Sequence, residues 1–501
     1  MMKKNILVFS LALTALLLSG CKTNDDGDYI SNNTFPTGRV LTNSAVSGDK
    51  FGDFTDNPFV STASQPVSTF SVDADGASYA IVRKYLRNQY TILPSMVRIE
   101  EFLNYFTFNY PAPQDGQAVA INAEVGACPW NSGHYLLRLG IKGKELTDSE
   151  MPRANFVFLI DVSGSMQSND KLPMLKTGLM NLVDLLNPDD RISIITYSGR
   201  VKKLIESTPV READKIKTAI HQLRASGSTD GGEALKMAYE EALTNYDPTA
   251  NNRIIMGTDG DFNVGVTNTD ALVEMVETYA QKGIYMTCLG FGLGNLNDSM
   301  MERISNSGNG NYYYIDDEEE LVKVFVTERG RFVSVANDAK CQVTFDSRTV
   351  SQYRLIGYEN RVMESEDFDD DQKDAGEIGA GQTITALYEI VLADGYNKTD
   401  GNAPFVTFDF RYKQTLQDAS ISLQKTLSIY DIFYKTALSD DFYFAAGVAA
   451  YGMLLRQSPY KGQATLEMAR ELVRIGHFYD PDGSRTGLLN LMGTPPRYNE
   501  R

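Results

Sequence analysis

The chain has 501 residues, of which 42% are hydrophobic and 22% charged, a composition typical of folded globular protein and not of fibrous or disordered chains. At the usual ~150 residues per domain, this length is enough for about three domains. The formal net charge of -18 excludes the basic surface that phosphate binding requires, so no nucleic-acid partner is expected.

The N-terminus has the pattern of a bacterial secretion signal. A short basic segment at residues 1–4 precedes an uncharged apolar run at residues 6–18, which predicts a signal peptide over residues 1–20 and is shorter than the ~20 apolar residues of a membrane-spanning helix. Residues 18–21, Leu-Ser-Gly-Cys, resemble a bacterial lipobox. The resemblance implies that Cys21 carries lipid and begins the mature protein. The alternative is a plain signal peptide followed by an ordinary cysteine.

Residues 21–66 are predicted to form a flexible tether, because Ser, Thr, Asn, Asp and Gly predominate and few apolar side chains are present to bury. The lipid would then be the chain's contact with the membrane. By analogy with sorting rules that retain lipoproteins with Asp after the lipidated cysteine in the inner membrane, Lys22 favours the outer membrane. The expected location is therefore the cell envelope, lipid-anchored, and either periplasm-facing or surface-exposed.

The cysteines exclude a disulfide framework. They stand at positions 21, 128, 288 and 341, so lipid on Cys21 leaves at most one disulfide. Cys288 lies in the apolar run 284–289 and is predicted to be a small buried side chain. Pairing of Cys128 with Cys341 stays open.

The middle of the chain alternates strand and helix patterns. Strands are predicted at residues 155–160, 191–197, 201–206, 254–256, 284–290 and 312–315, and helices at residues 172–186, 213–223, 233–243 and 271–282. The turn at residues 198–200 predicts an antiparallel hairpin. Such alternation predicts an α/β fold with a doubly wound, mostly parallel sheet, helices on both faces and ligand sites at the carboxyl ends of the strands.

The first of these strands is followed by Asp161-Val162-Ser163-Gly164-Ser165, which resembles the D-x-S-x-S element of von Willebrand factor A domains. In a turn of this shape the Asp and both Ser side chains can converge and offer oxygens to a hard cation. The resemblance implies that Ser163 and Ser165 bind the ion directly, and that Asp161 holds a metal-bound water. This would be a MIDAS-type metal site.

Two more pieces of that site match in order. Thr229, before the helix at residues 233–243, resembles the family's threonine ligand, and Asp259, after the strand at 254–256, resembles its second carboxylate. Asp230 either caps the helix or touches the metal. Each residue alone has a turn or helix-cap explanation, but the three matches stand in register after strands of one sheet. The resemblance implies Mg²⁺, with Mn²⁺ or Ca²⁺ as possible substitutes.

The ligand set predicts function. Hydroxyl ligands and waters leave a coordination position open, and an ion with few anionic ligands attracts an outside carboxylate. In the family that carboxylate is an Asp or Glu of a partner protein, so the expected role is metal-dependent protein binding in adhesion or assembly, without enzyme activity and without a small-molecule substrate. The alternative is a metal-assisted hydrolase of the cell envelope.

The flanking regions resemble bacterial YfbK-like lipoproteins that carry this domain. The matching stretches are residues 70–73 with 78–79, 97–101, 128–131, 357–361 and 374–378. Strands are predicted at residues 118–125 and 135–141 before the metal domain and at 342–345, 383–391 and 406–412 after it, and helices at 442–455 and 464–475. The strands are expected to form one sheet assembly into which the metal domain is inserted. The predicted regions are an N-terminal β-rich region at 67–150, the von Willebrand factor A domain at 151–330, and a β-rich and helical region at 331–501.

The other motifs in the sequence indicate neither a catalytic site nor a second metal site. The three histidines, His134, His221 and His477, lie in different regions, and no zinc-protease, phosphate-loop or nucleophile-elbow pattern is present. The acidic segment 364–377 has alternating carboxylates, but Gln372 stands where an EF-hand needs glycine, so a solvated loop is expected. An ion-transport role would require a membrane-spanning segment, which the sequence lacks.

Overall fold

A computed structural model describes residues 48–114, 116–228, 232–260, 269–373, 375–395, 401–433 and 437–498. The predicted signal peptide, the lipidation residue Cys21, most of the predicted tether, Thr229 and Asp230 lie outside the described residues.

The described strands are, in chain order, β1 (Val60–Ser61), β2 (Val67–Ser71), β3 (Val119–Ala127), β4 (His134–Gly143), β5 (Ala154–Asp161), β6 (Arg191–Ser198), β7 (Arg200–Pro209), β8 (Asn251–Thr258), β9 (Tyr285–Phe291), β10 (Tyr312–Ile315), β11 (Ser334–Phe345), β12 (Val350–Ile356), β13 (Val362–Met363), β14 (Gly376–Gly379), β15 (Thr383–Leu392), β16 (Pro404–Lys413) and β17 (Ile421–Ser428).

The described helices are, in chain order, α1 (Ala77–Arg87), α2 (Ile99–Asn104), α3 (Leu172–Leu185), α4 (Ala213–Gln222), α5 (Gly232–Thr244), α6 (Thr269–Ala280), α7 (Asp298–Ser307), α8 (Glu318–Val322), α9 (Ile429–Phe433), α10 (Asp440–Leu455), α11 (Leu466–Gly476) and α12 (Ser484–Leu491).

The central sheet has the strand order β10-β9-β8-β5-β6-β7. Its neighbouring strands are parallel, except that β7 returns antiparallel to β6 through the predicted hairpin. This confirms the predicted doubly wound, mostly parallel fold. Because β5, β6 and β8 are parallel neighbours, their carboxyl ends lie together at one edge of the sheet.

Strand β5 is buried on both faces. Val157 and Leu159 belong to the core that includes α5, α6 and α7, whereas Phe156 and Phe158 belong to the core formed with α3 and α4. Alternate side chains of a strand point to opposite faces, and burial of each such side chain stabilises the fold by roughly 1.5–3 kcal/mol. The loop after β5, which carries Ser163 and Ser165, therefore starts from a rigid support.

The flanking strands differ from the single assembly that the sequence predicts, because they form two antiparallel sheets. One has the order β1-β12-β15-β4-β3, and the other has the order β13-β2-β11-β16-β17, with β14 also paired to β11. Leu137 and Leu139 of β4 share one hydrophobic core with Phe408 and Phe410 of β16. Each sheet has an apolar face that another layer must cover, and two facing sheets satisfy both. The central sheet is inserted between strands of this pair.

Helices α1, α2, α10 and α11 share a hydrophobic core with the face of the central sheet that α5, α6 and α7 cover. The sequence predicts α10 and α11 but not α1 and α2. The N-terminus of α10 is capped by Ser439, whose Oγ accepts a hydrogen bond of 3.1 Å from the backbone N–H of Phe442. Among the helices described, none has the length and apolar character needed to span a membrane.

The predicted tether is wrong for residues 48–66, which pack first against the loop after β9 of the central domain, at Asp49 and Lys50, and then against the flanking sheets. The side-chain amide of Asn57 donates a hydrogen bond of 2.8 Å to the carbonyl of Gly357. Thr62 is 3% exposed, and its hydroxyl donates to the carbonyl of Val350. Pairing of the short strand β1 and hydrogen bonds from polar side chains hold this segment in place without a high apolar content. Amino-acid composition therefore does not predict that the segment is ordered.

Cys128, Cys288 and Cys341 are buried free thiols, so the pairing of Cys128 with Cys341 left open by the sequence does not form. Burial raises the pKa of Cys128 to about 12, with the Glu389 carboxylate adding to the shift. Buried thiols with raised pKa values are poor nucleophiles.

The acidic segment is largely exposed, as expected for a solvated loop, and it is also held against β16. Arg411 donates hydrogen bonds of 2.9 Å to the carboxylates of both Asp369 and Asp371. Lys413 donates a further bond of 2.9 Å to the carbonyl of Asp371. These alternating carboxylates therefore serve as partners for basic side chains of the neighbouring strand.

Candidate metal site

The loop after β5 is organised around the carboxylate of Asp161, which is fully buried at the end of the strand. One oxygen, Oδ1, accepts a hydrogen bond of 2.8 Å from the backbone N–H of Ser163. The other, Oδ2, accepts one of 3.2 Å from the hydroxyl of Thr258 at the end of β8. Asp161 thus turns the chain sharply after β5 and joins the carboxyl ends of two neighbouring strands.

The two serines of the loop converge. The Oγ atoms of Ser163 and Ser165 are 2.9 Å apart, although Gly164 separates them in the chain. Ligands on adjacent corners of an octahedron around Mg²⁺ also stand about 2.9 Å apart when each lies ~2.05 Å from the ion. The hydroxyl pair therefore fits one edge of a magnesium coordination sphere.

A second loop lies against the first and leads towards Thr229. The backbone N–H of Gly164 donates a bond of 3.0 Å to the carbonyl of Gly227, and that of Ser226 donates one of 2.7 Å to the carbonyl of Val162. Gly227 adopts a φ of +86°, a left-handed conformation that favours glycine. The chain is thus next to the serine loop only two residues before Thr229, which itself lies outside the described residues.

Asp259, the second predicted carboxylate, directly follows β8 and is 1% exposed. Its Oδ2 accepts a hydrogen bond of 2.8 Å from the ammonium of Lys171, which is 8% exposed at the start of α3. The ammonium neutralises one of the site's two carboxylates. The described residues therefore bring together Asp161, Ser163 and Ser165, with Asp259 close enough to Asp161 to act on its charge.

Burial raises the pKa of Asp161 to about 6, and the nearby charge of Asp259 adds to the shift, although hydrogen bonds from Ser163 and Thr258 oppose it. Two neighbouring buried carboxylates repel one another, and a cation between them relieves that repulsion. The donors present are hydroxyl and carboxylate oxygens, which suit a hard divalent cation.

The sequence analysis missed Lys171. A cation at a helix N-terminus is unfavourable, because the helix dipole is positive there. A lysine immediately before α3, ten residues after Asp161, was a signal that an anion stands nearby. Thr258 was missed as well, since threonine at the end of a strand is common and carries no distinctive pattern.

Comparisons with known proteins match the central domain and the two flanking regions separately. The model of the von Willebrand factor type A domain matches residues 155–327, a model described as von Willebrand factor matches residues 45–138, and the model of the uncharacterized protein YfbK, C-terminal, matches residues 330–496. The uncharacterized protein YfbK of Escherichia coli strain K12 is 36% identical over 471 residues, which cover 88% of this chain and 80% of the relative. The chain belongs to the YfbK family.

More distant relatives match a smaller part of the chain. The uncharacterized protein sll0103 of Synechocystis is 30% identical over 38% of this chain and 44% of the relative. Mouse inter-alpha-trypsin inhibitor heavy chain H3 is 32% identical over 33% of this chain and 20% of the relative. None of these relatives is named as an enzyme. The solved von Willebrand factor type A protein of Catenulispora acidiphila, at 15% identity and a TM-score of 0.43, covers 78% of this chain and 99% of that one.

Proposed function

We propose that this protein binds a divalent cation, Mg²⁺ in the first place, and uses it to bind an acidic residue of a partner protein. Ser163, Ser165 and Thr229 are the direct ligands, and Asp161 and Asp259 accept hydrogen bonds from bound waters. The observation that carries the proposal is the 2.9 Å separation of the two serine hydroxyls above the buried Asp161. Mn²⁺ and Ca²⁺ are candidates to replace Mg²⁺.

Charge supports an anionic ligand. The three direct ligands are neutral, and Lys171 neutralises Asp259, so a divalent ion here keeps an excess of positive charge. The exposed Arg200 follows Gly199 at the hairpin between β6 and β7, where an added Cβ on Gly199 would lie 3.2 Å from the Oγ of Ser228. Positive charge beside the metal loops favours the approach of a carboxylate.

The exposure of the two loops around the proposed metal site supports a macromolecular partner. Gly164, Gly227 and Ser228 are exposed, and Ser165 is half-buried, so the metal loops form part of the protein surface and not a closed cavity. A carboxylate carried on another protein can reach such a surface. We place the protein on the cell envelope through lipid on Cys21, with the outer membrane favoured by Lys22.

Binding of envelope proteins by the wild-type chain and by Asp161→Ala, each with Mg²⁺ and with a chelator, tests the proposal. The partner is expected to bind only the wild type with Mg²⁺. A peptide rich in Glu is expected to displace it, whereas the matching Gln peptide is not. A partner that stays bound in the chelator, or that either peptide displaces equally, would contradict a metal-bridged carboxylate. Metal-dependent hydrolysis lost in Asp161→Ala would instead favour the hydrolase alternative.

A further inference from the structure

A cavity of about 240 Å³ lies where the central domain meets the flanking sheets. Asp73 and Asp75 line it from the segment between β2 and α1. Asn306 at the end of α7, Asn311 before β10 and Arg361 also line it. These residues belong to different parts of the chain, so a ligand in or beside this cavity contacts both the central domain and its flanking region.

Three buried carboxylates cluster at this junction. One oxygen from each of Asp73, Glu101 and Glu302 lies within 4.8 Å of the other two. Oxygens that share one Ca²⁺ at 2.3–2.6 Å stand at most about 5 Å apart, whereas those that share Mg²⁺ stand at most about 4.2 Å apart. Every separation within the 4.8 Å limit is therefore open to calcium, whereas only the shorter ones are open to magnesium.

Negative charge exceeds positive charge here. Arg98 forms ion pairs with Glu101 and Asp298 and lies 3.5 Å from Glu302. Arg361 pairs with Asp73 at 3.0 Å. The two guanidiniums are thus the positive partners of four carboxylates, each at most 8% exposed: Asp73, Glu101, Asp298 and Glu302. Buried charge without compensation is costly, and a cation removes that cost.

Asp75 adds a fifth carboxylate with an unused oxygen. It is 2% exposed, and its backbone N–H donates a hydrogen bond of 2.9 Å to Oδ1 of Asp73. Its own Oδ1 accepts a bond of 2.9 Å from the backbone N–H of Tyr312. Its Oδ2, although buried in a residue that lines the cavity, has no hydrogen-bond partner among the described residues. A buried carboxylate oxygen without a partner is costly, and a bound cation would remove that cost.

We propose that Asp73, Glu101 and Glu302 bind a calcium ion, with Asp75 completing the site from the cavity wall, and that this ion joins the central domain to the flanking sheets. Asp73 follows β2, Glu101 lies on α2 and Glu302 lies on α7 of the central domain. The ion therefore crosslinks three elements that are distant in the chain. It is separate from the magnesium site, since the two share no residue.

Calcium titration of the mature chain carrying Asp161→Ala tests this site in the absence of the other. One calcium ion is expected to bind, and to raise Tm by about 2–5 °C at saturation. Asp75→Asn is expected to weaken calcium binding at least tenfold, whereas Asp394→Asn, at an exposed position, is expected to leave it unchanged. Far-ultraviolet circular dichroism establishes that each variant folds.

If Asp75→Asn fails to fold, Glu302→Gln replaces it with the same expectation. Absence of calcium binding in the Asp161→Ala chain would overturn the calcium site while leaving the magnesium proposal untouched. Calcium binding that is equal in Asp75→Asn, Glu302→Gln and Asp394→Asn would overturn it as well, because the ion would then bind elsewhere.

Discussion

The ammonium of Lys171 lies 2.8 Å from Oδ2 of Asp259, and both side chains are buried at the edge of the candidate metal site. Because the two charges cancel, Lys171 removes one negative charge from the surroundings of the proposed cation. In our proposal this weakens metal binding and at the same time strengthens the attraction of a bound ion for an outside carboxylate.

Lys171→Met is therefore expected to tighten Mg²⁺ binding by about tenfold, because removing a nearby positive charge favours the cation. Titration calorimetry measures the affinity. Lys215→Met removes an exposed lysine of α4 and is the matched control, with no expected change. Equal or weaker magnesium binding in Lys171→Met would show that this lysine does not oppose the ion.

Gly260→Ala is expected to lower the free energy of unfolding by about 1–3 kcal/mol, because the residue has a φ of +94° and an added Cβ would lie 2.4 Å from the backbone nitrogen of Asn297. The strain would also displace Asp259 and weaken Mg²⁺ binding. Chemical denaturation and calorimetry measure the two effects. Gly487→Ala is the control, since its Cβ in α12 meets nothing within 4 Å and is expected to be neutral or stabilising. Equal stability of the two variants would contradict the strain at Gly260.

The ion pair between Lys323 and Asp482, at 3.0 Å, joins the chain after α8 to the C-terminal helices and predicts a pH dependence. Burial alone would raise the pKa of Asp482, but Lys323 and hydrogen bonds from Ser484 outweigh it and lower the pKa from 3.8 to about 2. Since the folded-state pKa lies below the unfolded one, the stabilisation is present above about pH 4 and is lost as the pH falls through 2.

Asp482→Asn is accordingly expected to destabilise the protein by about 1–2 kcal/mol at pH 7, and the difference from wild type should shrink between pH 4 and pH 2. Denaturation curves across this range measure it, with Asp394→Asn as an exposed control. A difference that stays constant with pH would mean that Asp482 stabilises by packing and not by charge.

Lipidation at Cys21 is tested by metabolic labelling with a palmitate analogue. The wild type is expected to be labelled and to partition into detergent, whereas Cys21→Ser is expected to lose both properties, because no other acylation site is predicted. Cys128→Ser, at a buried thiol, is the control. Labelling that persists in Cys21→Ser would contradict a lipoprotein anchored at this residue.

The sequence predicts the central domain well because its strands, helices and loops have patterns that can be recognised within short stretches of the chain. Asp161 ends an apolar strand and is followed by small hydroxyl residues, and this pattern alone places the loop at the edge of the sheet. The division of the flanking strands into two sheets depends instead on long-range pairs, such as Phe70 of β2 with Cys341 of β11, which no local pattern encodes. The contact of Lys171 with Asp259 likewise forms only when α3 packs against the sheet.

The most direct test of the central claim is a magnesium titration of the wild type and Ser163→Ala, each purified free of metal. The account predicts that the wild type binds Mg²⁺, that Ser163→Ala binds it at least tenfold more weakly, and that the two metal-free proteins melt at the same temperature within about 2 °C, since the variant keeps the backbone hydrogen bond from residue 163 to Asp161 that shapes the loop. Equal affinity in the two proteins, or a wild type that binds neither Mg²⁺ nor Mn²⁺, would contradict it.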